Sequence, residues 1–181
     1  QTPEYYAQES AVLPPNEFLR IHRNQWVGSM GSFLPDISIW DSAREDVPPL
    51  DKHTPVVVAL DAAISGDTFA MVGVSRYPSP ARDRDLMVRY VGSWRAPPGG
   101  KINYRLVEDE VKRLFSNYNI VCWPYDEYQL YDFATRMRSS ELGWWRIFPQ
   151  THDRLVADKQ LLDMIIARRI VHDGNPVLRE H

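Results

Sequence analysis

The chain has 181 residues, 44% hydrophobic and 25% charged, with a formal net charge of −3. Length and composition suit one domain with its own core, and the charge is not that of a strongly basic nucleic-acid binder, although local basic patches remain compatible with it. The single cysteine, Cys122, excludes an internal disulfide framework and a cysteine-rich zinc site. No run approaches the ~18 apolar residues of a membrane span, and no signal peptide is recognisable. The expected setting is therefore reduced and intracellular.

Residues 1 to about 43 are rich in aromatics but poorly periodic, and with the connector that follows they make up a segment 1–54. Phe18, Trp26, Phe33 and Trp40 are scattered among Pro and Gly, a pattern that packs onto something else rather than building its own core. The stretch Arg44 to Pro55, "REDVPPLDKHTP", reads as a connector, because its prolines lack amide donors and resist helix. From residue 55 the pattern becomes regular. Val56–Leu60 reads as a buried strand, Thr68–Ser75 as its hairpin partner across the Ser65-Gly66-Asp67 turn, and Leu86–Trp94 as a third strand.

A helix follows, capped by Asn103, with Tyr104, Val107, Val111 and Leu114 on one face. Asn119–Trp123 is a fourth strand closed by Pro124. A second helix carries Leu130, Phe133, Ala134 and Met137 on one face. Trp144–Pro149 is a fifth short strand. The third helix is expected to be capped by Asp153, to carry an apolar stripe of Leu155, Leu162, Ile165 and Ile166, to include Arg168-Arg169, and to end at "HDGNP". Three antiparallel strands followed by alternating helix and strand describe a mixed α/β sheet.

Two acids stand out by position. Asp61 ends the first strand, and Asp126 follows the fourth. In this topology strands one and four lie side by side and parallel, so both acids reach the same sheet edge, where sites commonly form. Their mutual repulsion becomes tolerable with a divalent cation between them, and oxygen ligands suit Mg²⁺. A turn or a helix N-cap is the competing reading for Asp126, and a turn for Asp61. Asp67 reads first as the hairpin turn residue, with a lesser claim as a metal ligand.

The blocks "VVVALDAAISGDTFAMV", "WPYDEYQLYDFATRM" and "DKQLLDMIIARRIVHDGNPVLREH" together resemble the nuclease domain of tailed-phage terminase large subunits. "LPPNEFLRIHRNQWVGSMGSFLP" resembles the segment joining the packaging ATPase to that nuclease. The resemblance implies an RNase H-like fold, with residues 55–181 as the nuclease domain and residues 1–54 as the junction. It implies a Mg²⁺- or Mn²⁺-dependent endonuclease that cuts concatemeric viral DNA during packaging by two-metal phosphodiester hydrolysis, with Asp61 and Asp126 as catalytic metal ligands. The family's third ligand lies beyond "HDGNPVLREH", and no Walker A motif occurs, so the chain reads as an excerpt of a longer protein whose own activity is in question.

The implied partners are double-stranded DNA and, in the parent protein, an ATPase domain, the portal and the small terminase subunit. The isolated domain is expected to be a monomer, with no membrane role, in the host-cell cytoplasm.

Arg76, Arg82 and Arg84 are candidate phosphate contacts, with a loop self-paired through Asp83 and Asp85 as the alternative. Asp173 can be nominated as the third acid but reads better as a turn residue. His172 reads as a structural or exposed histidine, Lys159 as an exposed ion-pair partner of Asp163, and Cys122 as a buried apolar residue. Two other readings stay open. One is a non-catalytic DNA- or motor-binding module. The other is a different RNase H-like enzyme, such as a transposase or resolvase.

Overall fold

A computed structural model describes residues 2–13, 18, 22, 33–34, 36–62, 68–78 and 83–180. Among the described residues, the helices α1 (Pro3–Val12) and α2 (Ile37–Asp41) precede the sheet. Strands β1 (Val56–Asp61), β2 (Thr68–Arg76) and β3 (Leu86–Arg95) follow. Next are helix α3 (Tyr104–Asn117), strand β4 (Ile120–Tyr125), helix α4 (Glu127–Ser139) and strand β5 (Trp145–Ile147). Helix α5 (His152–Ile166), strand β6 (Ile170–Val171) and helix α6 (Pro176–Glu180) complete the order. The strands form one sheet in the order β5-β4-β1-β2-β3-β6. β1, β2 and β3 are antiparallel neighbours, whereas β4 runs parallel to β1, β5 to β4 and β6 to β3. The expected mixed α/β, RNase H-like arrangement is thus observed.

Alternation along β1 explains the layering. Val56, Val58 and Leu60 are buried and meet the apolar stripes of α3 (Val107, Val111, Leu114) and α4 (Leu130, Phe133, Ala134, Met137) in the main core. Both helices start as their sequences require: the Asn103 side chain accepts from Arg105 N–H and that of Asp126 from Tyr128 N–H. Phe133 sits centrally, 6.0 Å from the Phe69 and Tyr104 rings and 5.9 Å from Trp145. Cys122 is buried beside this core, and burial pushes its thiol pKa up, as an inert apolar cysteine requires. The Trp144-Trp145 pair divides as its position suggests, Trp144 exposed and Trp145 buried.

The opposite face carries a smaller core of Leu34, Trp40, Val88, Ile165 and Ile170, with Val72, Val91, Leu162 and Leu178 packed against it. Here several expectations are corrected. Helix α5 begins after Thr151, so Asp153 lies in its first turn instead of capping it. Of the expected stripe only Ile165 is fully buried, and Ile166 is 46% exposed. The chain leaves helix at Ala167, and Arg168 takes a left-handed φ of 56°. Arg168 and Arg169 therefore lead into β6 instead of extending the helix. β6 itself is too short to signal itself by periodicity. Pro124 lies inside β4, opposite Arg146 of β5, because the strand continues to Tyr125. α1 forms in a segment that has no apolar stripe and buries no residue; its Thr2 cap and Pro3 in the first turn start it.

Candidate metal centre

The parallel ladder between β1 and β4 brings the acids together. Leu60 and Tyr125 are register partners, so Asp61 and Asp126 are the next residues on adjacent parallel strands. Asp61 shares its sheet face with Val57 and Ala59, the face away from the main core. Register partners continue its row across the sheet, Asp61 to Ala70 and Ala70 to Ser93. These are small residues, and Ala59 is exposed, so the face stays open around the carboxylate. Asp61, Asp126, Ala70, Ser93 and Gln129 line one cleft of about 440 Å³, walled by Val177 and Leu178 of α6.

Asp126 is both a helix cap and a cleft-lining residue. Its Oδ1 accepts from Tyr128 N–H at 3.1 Å, which makes it the N-cap of α4, and the same carboxylate lines the cleft. The cap orients the side chain, and the positive end of a 13-residue helix favours its charge. Gln129, one turn on, was not singled out from the sequence, and its buried Oε1 has no hydrogen-bond partner among the described residues. The Asp126-to-Gln129 spacing of a capping box was the available signal. Ser93 and Thr68 also line the cleft, and nothing local in the sequence marks them.

Two carboxylates and an amide side chain lining one cleft carry oxygen atoms of the kind that a hard divalent cation takes. Among the described residues, no group of three or more His, Cys, Asp or Glu side chains could hold a metal. A cation held by the two acids would need water or a ligand from elsewhere to complete its coordination.

Asp67 and Arg82 lie outside the described residues. Arg76 and Arg84 do not join the acids. β2 runs antiparallel to β1, and Arg76 lies six residues beyond Ala70, the partner of Asp61. At ~3.3 Å per residue it sits roughly 20 Å away, at the opposite sheet edge. There Arg76, Arg84 and Arg169 line a separate cleft of about 610 Å³ with Tyr77, Asp83 and Asp85. Arg84 is engaged by Glu45 at 3.2 Å and by the Arg168 carbonyl, and Arg169 pairs with Asp85. The loop arginine is thus held by residues remote in sequence, not by its own acidic neighbours.

Asp173 is a turn residue, accepting from Asn175 N–H at 2.9 Å. His172 is structural. It is 1% exposed, its ring stacks 4.0 Å from that of Trp40, and its Nδ1 accepts from Gly174 N–H while Nε2 donates to the Trp40 carbonyl. Lys159 and Asp163 form the expected ion pair. No helix among the described residues is long and apolar enough to cross a membrane.

No protein-family model matches the chain. Among curated proteins it is 26% identical over 154 residues to the Gene 13 protein of Mycobacterium phage D29, covering 78% of this chain and 25% of that protein. Its fold is similar to that of the large terminase of bacteriophage HK97, with a TM-score of 0.69 at 16% identity over 99% of this chain and 43% of that one. It is also similar to the large terminase of a thermophilic bacteriophage, with a TM-score of 0.63 at 9% identity over 99% of this chain and 44% of that one. The chain spans a quarter of the curated relative and under half of each solved structure. Over the matched stretch, the fold is that of phage large terminases.

Proposed function

We propose that this chain is the nuclease domain of a phage terminase large subunit, a Mg²⁺- or Mn²⁺-dependent endonuclease acting on double-stranded viral DNA during packaging. The observation that carries the reading is the β1–β4 register, which sets Asp61 and Asp126 side by side in one open cleft. The likeness in fold to phage large terminases supports the same reading.

In this reading Asp61 and Asp126 hold the ions. Asp61 is presented by a strand paired on both sides, so its position is rigid. Asp126 is oriented by its cap bond to Tyr128 N–H. When bound, divalent ions activate water and stabilise the leaving oxygen of a phosphodiester. The small residues around Asp61 leave room for a phosphate backbone, and contacts to that backbone carry no sequence information, so cutting is expected to depend little on sequence. In the parent protein, the partners of this domain are an ATPase domain, the portal and the small terminase subunit. The phage setting of the relatives supports action in the host cytoplasm.

The test is incubation of plasmid DNA with Mg²⁺ or Mn²⁺ and the protein, beside Asp61→Asn and Asp126→Asn. Loss of at least about 100-fold in cutting in both variants is expected; cutting equal to wild type in either removes that residue from the mechanism.

A second reading, a non-catalytic DNA- or motor-binding module of the packaging machine, is favoured by the lack of a three-ligand cluster among the described residues. Calorimetric Mn²⁺ titration separates the two. Binding that Asp61→Asn abolishes supports the metal centre, and no binding by the wild type supports the module.

A further inference from the structure

The cleft that holds the two acids is not built by the sheet alone. Its outer wall is α6, which contributes Val177 and Leu178. This helix has only five residues, far short of the length at which a helix is stable by itself. It is therefore held by tertiary contacts, and these are few and specific. Asn175 starts it, its Oδ1 accepting from Val177 N–H at 2.9 Å. Leu178 packs against the second core. At the other end Arg179 makes a two-pronged ion pair with Asp41, at 2.7 and 2.9 Å.

Asp41 belongs to α2, which lies 138 residues earlier in the chain and precedes the first strand of the sheet. α2 is itself fastened to the turn before α6. The Trp40 ring stacks on His172 with the planes 6° apart, and the Trp40 carbonyl accepts from His172 Nε2 at 2.9 Å. Glu45 N–H donates to the His172 carbonyl at 2.9 Å. The turn between has little freedom. Gly174 adopts φ 84°, and a Cβ there would lie 2.7 Å from Arg44 Nε. Segment 40–45 thus grips both the root of α6, through Trp40 and Glu45, and its far end, through Asp41.

We infer that Asp41 is a positioning residue for the acid cleft: by pairing with Arg179 it holds α6 as the cleft wall, and so helps set how DNA is received beside Asp61 and Asp126. The role is distinct from metal binding, because neither Asp41 nor Arg179 lines the cleft. The functional half of this inference rests on the nuclease reading, whereas the clamp itself does not.

The bidentate pair is partly exposed, with side-chain exposures of 48% and 46%, so its effect is modest and electrostatic. The hydrogen bond to Arg179 holds the Asp41 carboxyl below its ordinary pKa range, in keeping with a formed pair.

The experiment measures amide exchange at Val177, Leu178 and Arg179 in the whole chain, whose N–H groups donate to Asn175. It compares wild type, Asp41→Asn, and the exchanged pair Asp41→Arg with Arg179→Asp. Asp41→Asn is expected to speed exchange there by roughly two- to fivefold without changing exchange in β1 or β4, and the exchanged pair to recover at least half of that change. Cleavage kinetics are read on the same proteins, where Asp41→Asn is expected to raise KM for DNA by a similar factor with kcat held. Unchanged exchange in Asp41→Asn, or no recovery in the exchanged pair, overturns the clamp. Faster exchange with KM unmoved overturns the positioning role. A wild type that exchanges as expected but cuts no DNA under any metal condition overturns the nuclease reading, and leaves the clamp decided by exchange alone.

Discussion

Leu60 and Tyr125 are partners across the parallel β1–β4 ladder, and the residue following each is an aspartate. Side chains of adjacent parallel strands at the same level lie about 5 Å apart, so one ladder contact sets two carboxylates, distant in sequence, at one edge. Asp126 is in addition the cap of α4, so its cap bond and its proposed metal role can be tested separately.

Asp126→Asn keeps a good cap but loses a charge. It is expected to leave stability within ~0.5 kcal/mol of wild type, because Asn and Asp cap equally well, while removing Mn²⁺ binding. Asp126→Ala is expected to lose the metal and about 1 kcal/mol of stability as well. Urea titration with calorimetric Mn²⁺ titration of both variants checks this, and equal stability of the two would mean that the cap bond contributes little.

The basic cleft at the far edge gives a contrasting expectation. Arg84 is engaged by Glu45 and the Arg168 carbonyl, so Arg84→Ala is expected to cost about 1 kcal/mol of stability. Arg76 is exposed and roughly 20 Å from the acids, so Arg76→Ala is expected to change KM for DNA less than about twofold. A tenfold rise would bring duplex contact to this edge.

Phe133 joins the α4 stripe to the sheet through Phe69 and Trp145 and to α3 through Tyr104. Phe133→Ala is expected to destabilise by about 3–5 kcal/mol, the transfer loss plus a cavity that three rings cannot close. Chemical denaturation measures it; a cost under about 1 kcal/mol would mean that the core collapses around the gap.

Glu110 supplies a pH dependence. Its bond to the Arg113 guanidinium, helped by Tyr90 Oη–H, lowers its carboxyl pKa. A carboxyl depressed in the folded state binds its proton more readily when unfolded. Its contribution is therefore present above the unfolded pKa, near about 4.3, and is lost as pH falls through the lower folded value. Glu110→Gln is expected to be less stable than wild type at pH 7, with the gap shrinking below about pH 4. Melting temperatures of both proteins from pH 7 to pH 3 test this, and a constant gap would show that the charge is not involved.

The larger elements are readable along the chain, and the reason is local. β1 announces itself as a β-branched run, and α3 and α4 place Val107, Val111, Leu114, Leu130, Phe133 and Met137 at helical steps below recognisable caps. In each case burial on one face imposes a period on neighbouring residues, and a period can be read without the rest of the chain. β6 and α6 have two and five residues, too few to carry a period. They form because β3 offers an unpaired edge to Ile170 and Val171, and because Asp41 and Trp40 lie where Arg179 and His172 need them.

The candidate site divides along the same line. Asp61 and Asp126 are recognisable as acids ending strands, and the alternation of strands and helices is enough to set those strands side by side. The order of residues alone therefore dictates which two carboxylates meet and at which edge, because strand order and direction follow from the element pattern. Three-dimensional packing was needed to establish that Arg76 and Arg84 stand at the far edge, that Gln129 joins the acids in lining their cleft, and that α6, paired to Asp41 through Arg179, walls it. Those facts depend on which distant side chains meet, and contacts between residues far apart in sequence leave no repeating trace along it.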